Sequence, residues 1–320
     1  MAYVLMDYDY LYSDSLYSFR KKINHRHFFH KLKKVDFNRK LYVYKADVHA
    51  YGESVDQDIV LDILQPVFQD DPEFYNFLHW SLKRNQYIEK GVLHSERVSI
   101  IPGTPFGTFL NNIYLMDMDR YLEAHSALYM RFADDIAVFT ETYEEAAAAN
   151  EYITRCMQSK KLELNTSKSH IYNPGETLSL LGIKVAPSEF DIAPESLRKI
   201  VFKVKHKCKN LMIRGRKYSI PNDELLDIGV RYMSDYFFGK VDNGNELSWT
   251  TWAFGIINTT KTLEYIDLTV QNCLRSIASG KTGNARYRIS YDELKKAGYK
   301  SLVHSYYHYY ETKEKEGWMS

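Results

Sequence analysis

ALYMRFADDIAVF, residues 127–139, is the stretch on which the reading of the fold turns. Two apolar runs, ALYMRF (127–132) and IAVF (136–139), flank a tight ADD turn, so the segment reads as a β-hairpin with Asp134 and Asp135 at its tip. Upstream, LYVYKAD (41–47) is a strand of β-branched and aromatic residues ending on an acid, Asp47. Downstream, YEEAAAANEYITRCMQSKK (143–161) is rich in Ala and Glu and reads as a helix. Residues 57–69, 73–84 and 109–123 read as helices, the first two from apolar residues at three- and four-residue steps. IIPGTP (100–105) reads as a turn, and 168–173 and 178–186 read as short strands separated by NPGE. The order strand, helices, hairpin, helix, strand predicts the α+β class, with one antiparallel sheet covered by helices on one side. After Pro194 the composition turns basic and helical, which sets a boundary near 190.

The chain has 320 residues, enough for a substantial core and two or three subdomains. No internal repeat or low-complexity linker is evident. No run of about 18 apolar residues occurs, so no membrane span is expected. Cys156, Cys208 and Cys273 lie far apart with no CxxC, which suits a reducing cytoplasm and argues against a zinc ribbon or disulfide scaffold. The N-terminus, MAYVLMDYDYLYSDS, is acidic and aromatic, unlike a secretory signal. Net charge is only +1, but it is unevenly spread. RKKINHRHFFHKLKKVDFNRK (20–40) holds a single acid, Asp36, and LRKIVFKVKHKCKNLMIRGRK (197–217) holds none. Two such zones suit a groove that tracks phosphates, or two solvated helical faces.

Carboxylates at strand ends are costly unless something positive satisfies them. Lys45 alternates toward Asp47, and otherwise the neighbouring stretches offer no obvious cation on the same face. Oxygen ligands of this kind suit Mg²⁺ or Mn²⁺, and two such ions can activate an attacking hydroxyl and stabilise a leaving oxygen. An isolated ADD is weak evidence, because turns are full of Asp.

The ADD turn does not stand alone. KADVHAYGESVD (45–56), PGTPFGTFLNNIYLMDMD (102–119), RFADDIAVF (131–139), KLELNTSKS (161–169) and LSLLGIKV (178–185) resemble, in order, five motifs of reverse transcriptases, covering about residues 41–186. The resemblance implies a right-hand polymerase with a ferredoxin-like palm (antiparallel sheet plus helices), short fingers and a helical thumb. The implied division is a short basic fingers region at 1–40, a palm at 41–190 with inserted fingers helices at about 57–100, and a helical thumb and C-terminal domain at 191–320. It implies RNA-directed DNA synthesis from dNTPs on RNA or DNA, with two Mg²⁺ or Mn²⁺ ions per site. Asp47 and Asp134 would be the principal metal ligands, Asp135 a secondary one, and the Val48 carbonyl would also face a metal. Lys168 would stand near the leaving pyrophosphate as charge stabiliser or acid, or be a solvated turn lysine. Asn165 reads more simply as a turn cap. Gly182 would let the primer backbone approach, or mark an ordinary bend in a strand.

The chain departs from the family pattern in three places. Where the family sets a bulky aromatic against a ribose 2′-hydroxyl, five residues after the first Asp, stands Gly52, with Tyr51 one residue earlier. Weaker discrimination against ribonucleotides is therefore expected. The family's Gln near the incoming base pair aligns with Phe106 or with Pro102; a ring at Phe106 would stack on a base or sugar, or belong to the core. Only 46 residues precede Asp47, so the fingers are expected to be short and synthesis specialised. Arg20, Lys21, Lys22, Arg26 and Arg39 are candidates for triphosphate or RNA contacts, or an exposed basic face.

In the C-terminal third, Leu197, Ile200, Val201, Val204, Cys208, Leu211 and Met212 form one apolar stripe, with Arg198, Lys199, Lys203, Lys205, Lys207 and Lys209 around it. After a palm this would be a thumb helix on the product duplex, making sequence-blind phosphate contacts. RYRISYDELKKAGYKSLVHSYYHYY (286–310) resembles the end of bacterial defence-associated and abortive-infection reverse transcriptases. That points to antiviral defence, with a small non-coding RNA, a second reverse transcriptase and an oligomeric assembly as expected partners. The tyrosines at 306, 307, 309 and 310 are packing residues or, less simply, a protein primer. The alternative to a polymerase is a catalytically silent RNA-binding scaffold. A cyclase on a related palm would need a Gly-Gly-acidic-acidic-Phe turn, which is absent.

Overall fold

The computed structural model describes residues 5–35, 40–84, 86–94, 100, 106–239 and 248–315. The chain forms two compact units, Met1–Glu176 and Thr177–Ser320. The division falls ahead of the composition change near 190, because the strands that follow Glu176 pair with one another and pack on the helices after them.

In the first unit, helix α1 (His25–Lys34) precedes strand β1 (Tyr42–Asp47). Short α2 (Tyr51–Ser54), α3 (Gln57–Val67) and α4 (Pro72–Lys83) follow, then a small hairpin of β2 (Tyr87–Glu89) and β3 (Val92–His94). The expected helix over 109–123 breaks at Leu115 into α5 (Gly107–Tyr114) and α6 (Met116–Ala124). Then come β4 (Leu128–Phe132), β5 (Asp135–Thr140), α7 (Tyr143–Ser159) and β6 (His170–Tyr172). The main sheet has the order β4-β5-β1-β6, and every neighbouring pair is antiparallel. Two strand–helix–strand crossovers around a central hairpin give the ferredoxin-like arrangement.

Local signals explain the helix starts. Asp56 caps α3 and Asp71 caps α4, whose first residue is Pro72. Thr142 and Glu145 form a capping box on α7, with the Glu145 carboxylate accepting from the Thr142 N–H at 3.2 Å. Helix α7 then buries Ala146, Ala149, Ile153 and Met157. Ile136 and Val138 of β5 join the large core with Ala149, Ile153 and Met157 and with α3, α5 and α6. Their alternate neighbours Ala137 and Phe139 are buried on the other face.

That second face corrects the expectation of a sheet covered on one side. Phe28 of α1 packs its ring on Phe139 and Tyr17, and Phe28, Phe29 and Leu32 are all buried. The basic stretch 20–40 thus hides an apolar helical stripe that its charge obscured. Residues 15–17 run beside β4: the Arg131 N–H donates to the Ser15 carbonyl at 3.0 Å and the Tyr17 N–H to the Arg131 carbonyl at 2.9 Å. An otherwise open sheet edge is covered in this way.

The second unit opens with a three-stranded meander, β7 (Leu178–Leu180), β8 (Ile183–Ala186) and β9 (Glu189–Ile192). Residues 178–186 form a hairpin, turned at Leu181 (φ 49°) and Gly182 (φ 80°). A Cβ at Gly182 would sit 2.7 Å from Ser196 Oγ, so this glycine is required by its own turn and by the helix packed on it. Helix α8 (Pro194–Tyr218) follows, then α9 (Asn222–Phe238), α10 (Trp249–Phe254), α11 (Lys261–Ser279), a 3-10 turn (Gly283–Arg288), α12 (Tyr291–Lys296) and α13 (Leu302–Lys315). Helices α8, α9 and α11 share a core, with Gly215 letting Leu225 approach so closely that an added Cβ would clash at 2.2 Å. Buried Asp267 of α11 clamps the start of α13, accepting from Tyr299 Oη (2.8 Å), Ser301 Oγ (2.6 Å), Leu302 N–H (2.8 Å) and Val303 N–H (3.1 Å). Among the described residues, no helix is long and apolar enough to cross a membrane.

Candidate active site

The register of β1 against β5 sets Asp47 directly opposite Asp135. Opposed residues in an antiparallel pair present their side chains on one face. Asp134 precedes Asp135 in the two-residue loop joining β4 to β5, whose flanks Phe132 and Asp135 pair. Asp47 and the sequence-distant pair Asp134 and Asp135 are therefore gathered at one end of the sheet. Asp47 is buried, and Asp134 and Asp135 are half-buried.

The loop is strained and held from behind. Ala133 has φ 54°, a left-handed conformation that costs a residue with a side chain about 1–2 kcal/mol. The Val48 N–H donates to the Asp134 carbonyl at 3.1 Å, tying the loop to the end of β1. Arg131, wholly buried, sends Nη1 to the Ala133 carbonyl at 3.3 Å. The rest of its guanidinium grips buried Asp119 with two bonds of 2.7 and 2.6 Å and the Asn112 carbonyl with one of 2.8 Å. Tyr129 Oη donates to Asp119 at 2.7 Å, and the Asn112 side chain exchanges two hydrogen bonds with Ser18. Arg131 and Asp119 were missed by the sequence reading. The signal was present: an arginine amid the apolar run LYMRF has to find a buried acid.

A second turn closes over Asp47. The Asn165 N–H donates to the Asp47 carbonyl at 2.7 Å, and Asn165 Nδ2 reaches Asp47 Oδ1 at 3.3 Å. Asn165 Oδ1 accepts from Ser167 Oγ at 2.7 Å, so the residue shapes the turn and touches the acid together. Lys168 Nζ donates to both Asp47 oxygens, at 2.9 and 3.0 Å, although its side chain is 57 % exposed. That bond raises the lysine pKa. Burial raises the Asp134 carboxyl above the ordinary range, and the Asp47 charge adds to it. Burial likewise raises Asp135, with Asp134 and Asp47 adding and Lys45 and Lys168 opposing.

The donor set fits a hard divalent cation: all oxygen, with two carboxylates whose charge is under-compensated. Among the described residues, no group of three His, Cys, Asp or Glu side chains is arranged to hold a metal ion as it stands. The Lys168 ammonium instead supplies the cation on Asp47.

Other residues singled out from sequence lie as follows. Tyr51 is buried and its hydroxyl donates to the Asn111 carbonyl at 2.6 Å, so it does not turn toward the acids' open side. A Cβ at Gly52 would meet only Asn111 Nδ2, at 3.7 Å. Phe106 is half-buried against the core, the simpler of its two readings. Arg20 is a correction: its side chain is 4 % exposed and its donors go to the Asp9 carboxylate and to the Ser13 and Leu16 carbonyls, leaving nothing for a triphosphate. Pro102 and Arg39 fall outside the described residues. In the second unit, Arg198, Lys199, Lys203 and Lys205 are exposed on α8, with Lys203 lying over the Tyr236 ring. Tyr306 and Tyr310 donate to backbone carbonyls around α10, which makes them packing residues.

A family model described as reverse transcriptase (RNA-dependent DNA polymerase) matches residues 18–185, more than half of the chain and all of the acid-bearing elements. The retron Ec86 reverse transcriptase of Escherichia coli is 21 % identical over 108 residues, 32 % of this chain and 34 % of that protein. Among solved structures, apo telomerase from Candida tropicalis is 12 % identical, with a TM-score of 0.49 covering 95 % of this chain and 53 % of that one. The telomerase of Candida albicans in complex with a telomeric RNA fragment is also 12 % identical, with a TM-score of 0.48, covering 92 % and 55 %. The chain thus spans about a third of the retron protein and about half of the telomerases. The ordered motifs, the antiparallel palm with its paired acids and the extent of the family match lead to one conclusion: this chain belongs to the reverse transcriptase family.

Proposed function

We propose that this protein is an RNA-directed DNA polymerase whose nucleotidyl transfer is carried out at Asp47, Asp134 and Asp135. The observation that carries the reading is the register pairing Asp47 with Asp135, with Asp134 beside it in a loop held by Arg131. These carboxylates and the Val48 carbonyl would hold two divalent cations, Mg²⁺ or Mn²⁺, which when bound would supply charge stabilisation to the attacking and leaving oxygens. Arg131 and Asn165 keep the acids in place. Lys168 would neutralise Asp47 before substrate arrives and offer its ammonium to the departing pyrophosphate. The room beside Gly52, with Tyr51 held away by its bond to Asn111, supports acceptance of ribonucleotides alongside dNTPs.

The second unit would serve as the thumb, with Arg198, Lys199, Lys203 and Lys205 contacting phosphates and Gly182 near the primer. The match to a retron enzyme and the resemblance of residues 286–310 to defence-associated enzymes support a role in bacterial antiviral defence, with a small non-coding RNA, a second reverse transcriptase and an oligomeric state as partners. A cytoplasmic location completes the proposal.

The test supplies the purified chain with primed RNA, each dNTP and rNTP, and Mg²⁺ or Mn²⁺, and sequences the product. Asp134→Asn is expected to lower kcat by about 10³-fold or more while leaving RNA binding intact. Unchanged synthesis by Asp134→Asn, or a biological function that survives loss of all three acids, would replace the polymerase with a scaffold.

A further inference from the structure

A cavity of about 560 Å³ lies in the second unit, between α8, α11 and the 3-10 turn. Its size is that of a small-ligand site. Its floor is apolar, with Cys208 and Met212 from α8 facing Cys273 from α11. Ile213, Tyr265 and Leu268 stand at its mouth with half or more of their surface exposed. Four cations, Lys205, Lys209, Arg216 and Arg286, line it, and no acid does. None of the four has an acidic partner among the described residues.

Two polar atoms in the lining are buried without a hydrogen-bond partner, Asn272 Oδ1 and Arg286 Nε. Such atoms are costly to leave unsatisfied, and both belong to side chains that line the cavity. An occupant that satisfied them would need a hydrogen-bonding edge, a flat apolar body to fill the floor, and negative charge at the rim. A nucleobase carried on a phosphodiester has all three.

The spacing of the cations favours a strand over a free nucleotide. Lys205, Lys209 and Arg216 fall on one face of α8 and span roughly 16 Å along its axis at 1.5 Å per residue. That is longer than one phosphate, and continuous with the exposed Arg198 and Lys199 toward the start of the helix.

We propose that this cavity receives one unpaired base of a single-stranded nucleic acid. The base stacks on Tyr265 and donates a hydrogen bond to Asn272 Oδ1, and the flanking phosphates lie on Lys205, Lys209, Arg216 and Arg286. The site is built wholly within the second unit and needs no chemistry at the acids. Its test is a binding measurement, so failure of polymerase activity and failure of this proposal are told apart.

The full chain is titrated against short labelled single strands of RNA and of DNA, each of one base type, by fluorescence anisotropy at several salt concentrations. Lys209→Gln with Arg216→Gln, both exposed positions that leave the core untouched, is expected to weaken binding about tenfold and to lower the slope of log K against log salt by roughly 2. Asn272→Leu, close in size, is expected to flatten the preference among bases while leaving that slope unchanged. RNA and DNA binding with the same loss on Asn272→Leu assigns the site to the base, and loss confined to RNA assigns it to an RNA strand. Either supports the proposal. Unchanged affinity and base preference in both variants would overturn it. So would displacement of the strand by free nucleoside monophosphates at equal base concentration, or by dodecyl phosphate but not by nucleotides.

Discussion

The two units solve the burial of a charged group in opposite ways. In the first, Asp119 is buried against a full countercharge, the Arg131 guanidinium, and both side chains are 0 % exposed. In the second, Asp267 is buried against neutral donors alone: two hydroxyls and two backbone N–H groups. An ion pair must be kept whole, because removing either partner strands the other charge in a medium that cannot solvate it. A carboxylate held by dipoles has no stranded partner, only unmet hydrogen bonds. The first device belongs where geometry at a strained loop has to be kept, and Arg131 links the ion pair to the Ala133 carbonyl of that loop. The second belongs where a helix start needs an anchor, and Asp267 acts as a cap for α13 supplied from another helix.

The sharpest way to break this comparison is Arg131→Met. It leaves the Asp119 carboxylate buried with, among the described residues, only Tyr129 as a side-chain donor. The expected cost is about 3–5 kcal/mol, read as a lowered urea midpoint, with loss of activity as the loop relaxes. Arg131→Met combined with Asp119→Leu is expected to recover most of the stability but not the activity. Full recovery of both would show that the pair merely fills space.

Asp267 should respond differently. Asp267→Ala leaves Tyr299, Ser301 and two N–H groups without their acceptor, at a cost of about 2–3 kcal/mol. Asp267→Asn keeps one oxygen acceptor and is expected to cost about half as much. The corresponding Asp119→Asn, which still faces a buried guanidinium, should cost nearly as much as Asp119→Ala. Equal penalties for the two Asn variants in denaturant titrations would erase the distinction between charge and dipole.

These two networks also mark where the sequence is legible. The ADD hairpin, the strand ending at Asp47 and the capped helix α7 are written in consecutive residues, because turn chemistry, alternation and capping act over a few positions. The ordered motifs carried the acids' pairing as well. The helical cover on the second sheet face was hidden because Phe28, Phe29 and Leu32 sit within a run of cations. Arg20 was misread for the same reason: its partner Asp9 lies 11 residues away in an acidic, aromatic segment. Arg131 with Asp119, and Asp267 with Ser301, are pairings that only the folded chain specifies. The cavity on α8 is harder still, since three separate elements supply it and its apolar floor reads as ordinary helix stripe.

Within the acid cluster, Lys168 tests whether an exposed cation belongs to the site's chemistry or to its stability. Its ammonium is bonded to Asp47, but the side chain is more than half exposed, so water screens the pair and the stability effect should be small. Lys168→Met is therefore expected to leave the urea midpoint nearly unchanged and to lower kcat by about 10–10²-fold. Divalent-cation affinity, followed by titrating Mn²⁺, should rise in the variant because the competing ammonium is gone. An unchanged kcat would reduce Lys168 to a surface counterion.

The smallest effect is expected at Glu189 in the second unit, where a carboxylate is held by two lysines, half-buried Lys184 at 2.6 Å and exposed Lys261 at 2.8 Å. Hydrogen bonds from Lys184 and then Lys261 depress its pKa from 4.5 to about 2. A carboxyl whose folded pKa lies below its unfolded one contributes stability above pH 4.5 and loses it as pH falls toward 2, because the unfolded chain takes up the proton first. Glu189→Gln is therefore expected to lower the urea midpoint slightly near neutrality, and the gap to the parent protein should close progressively as pH falls through that window. Solvent screening keeps the gap small, in contrast to the wholly buried Arg131–Asp119 pair. A gap that stayed constant with pH would mean that Glu189 acts through packing of β9, and the contrast between screened and buried ion pairs would then rest on the first unit alone.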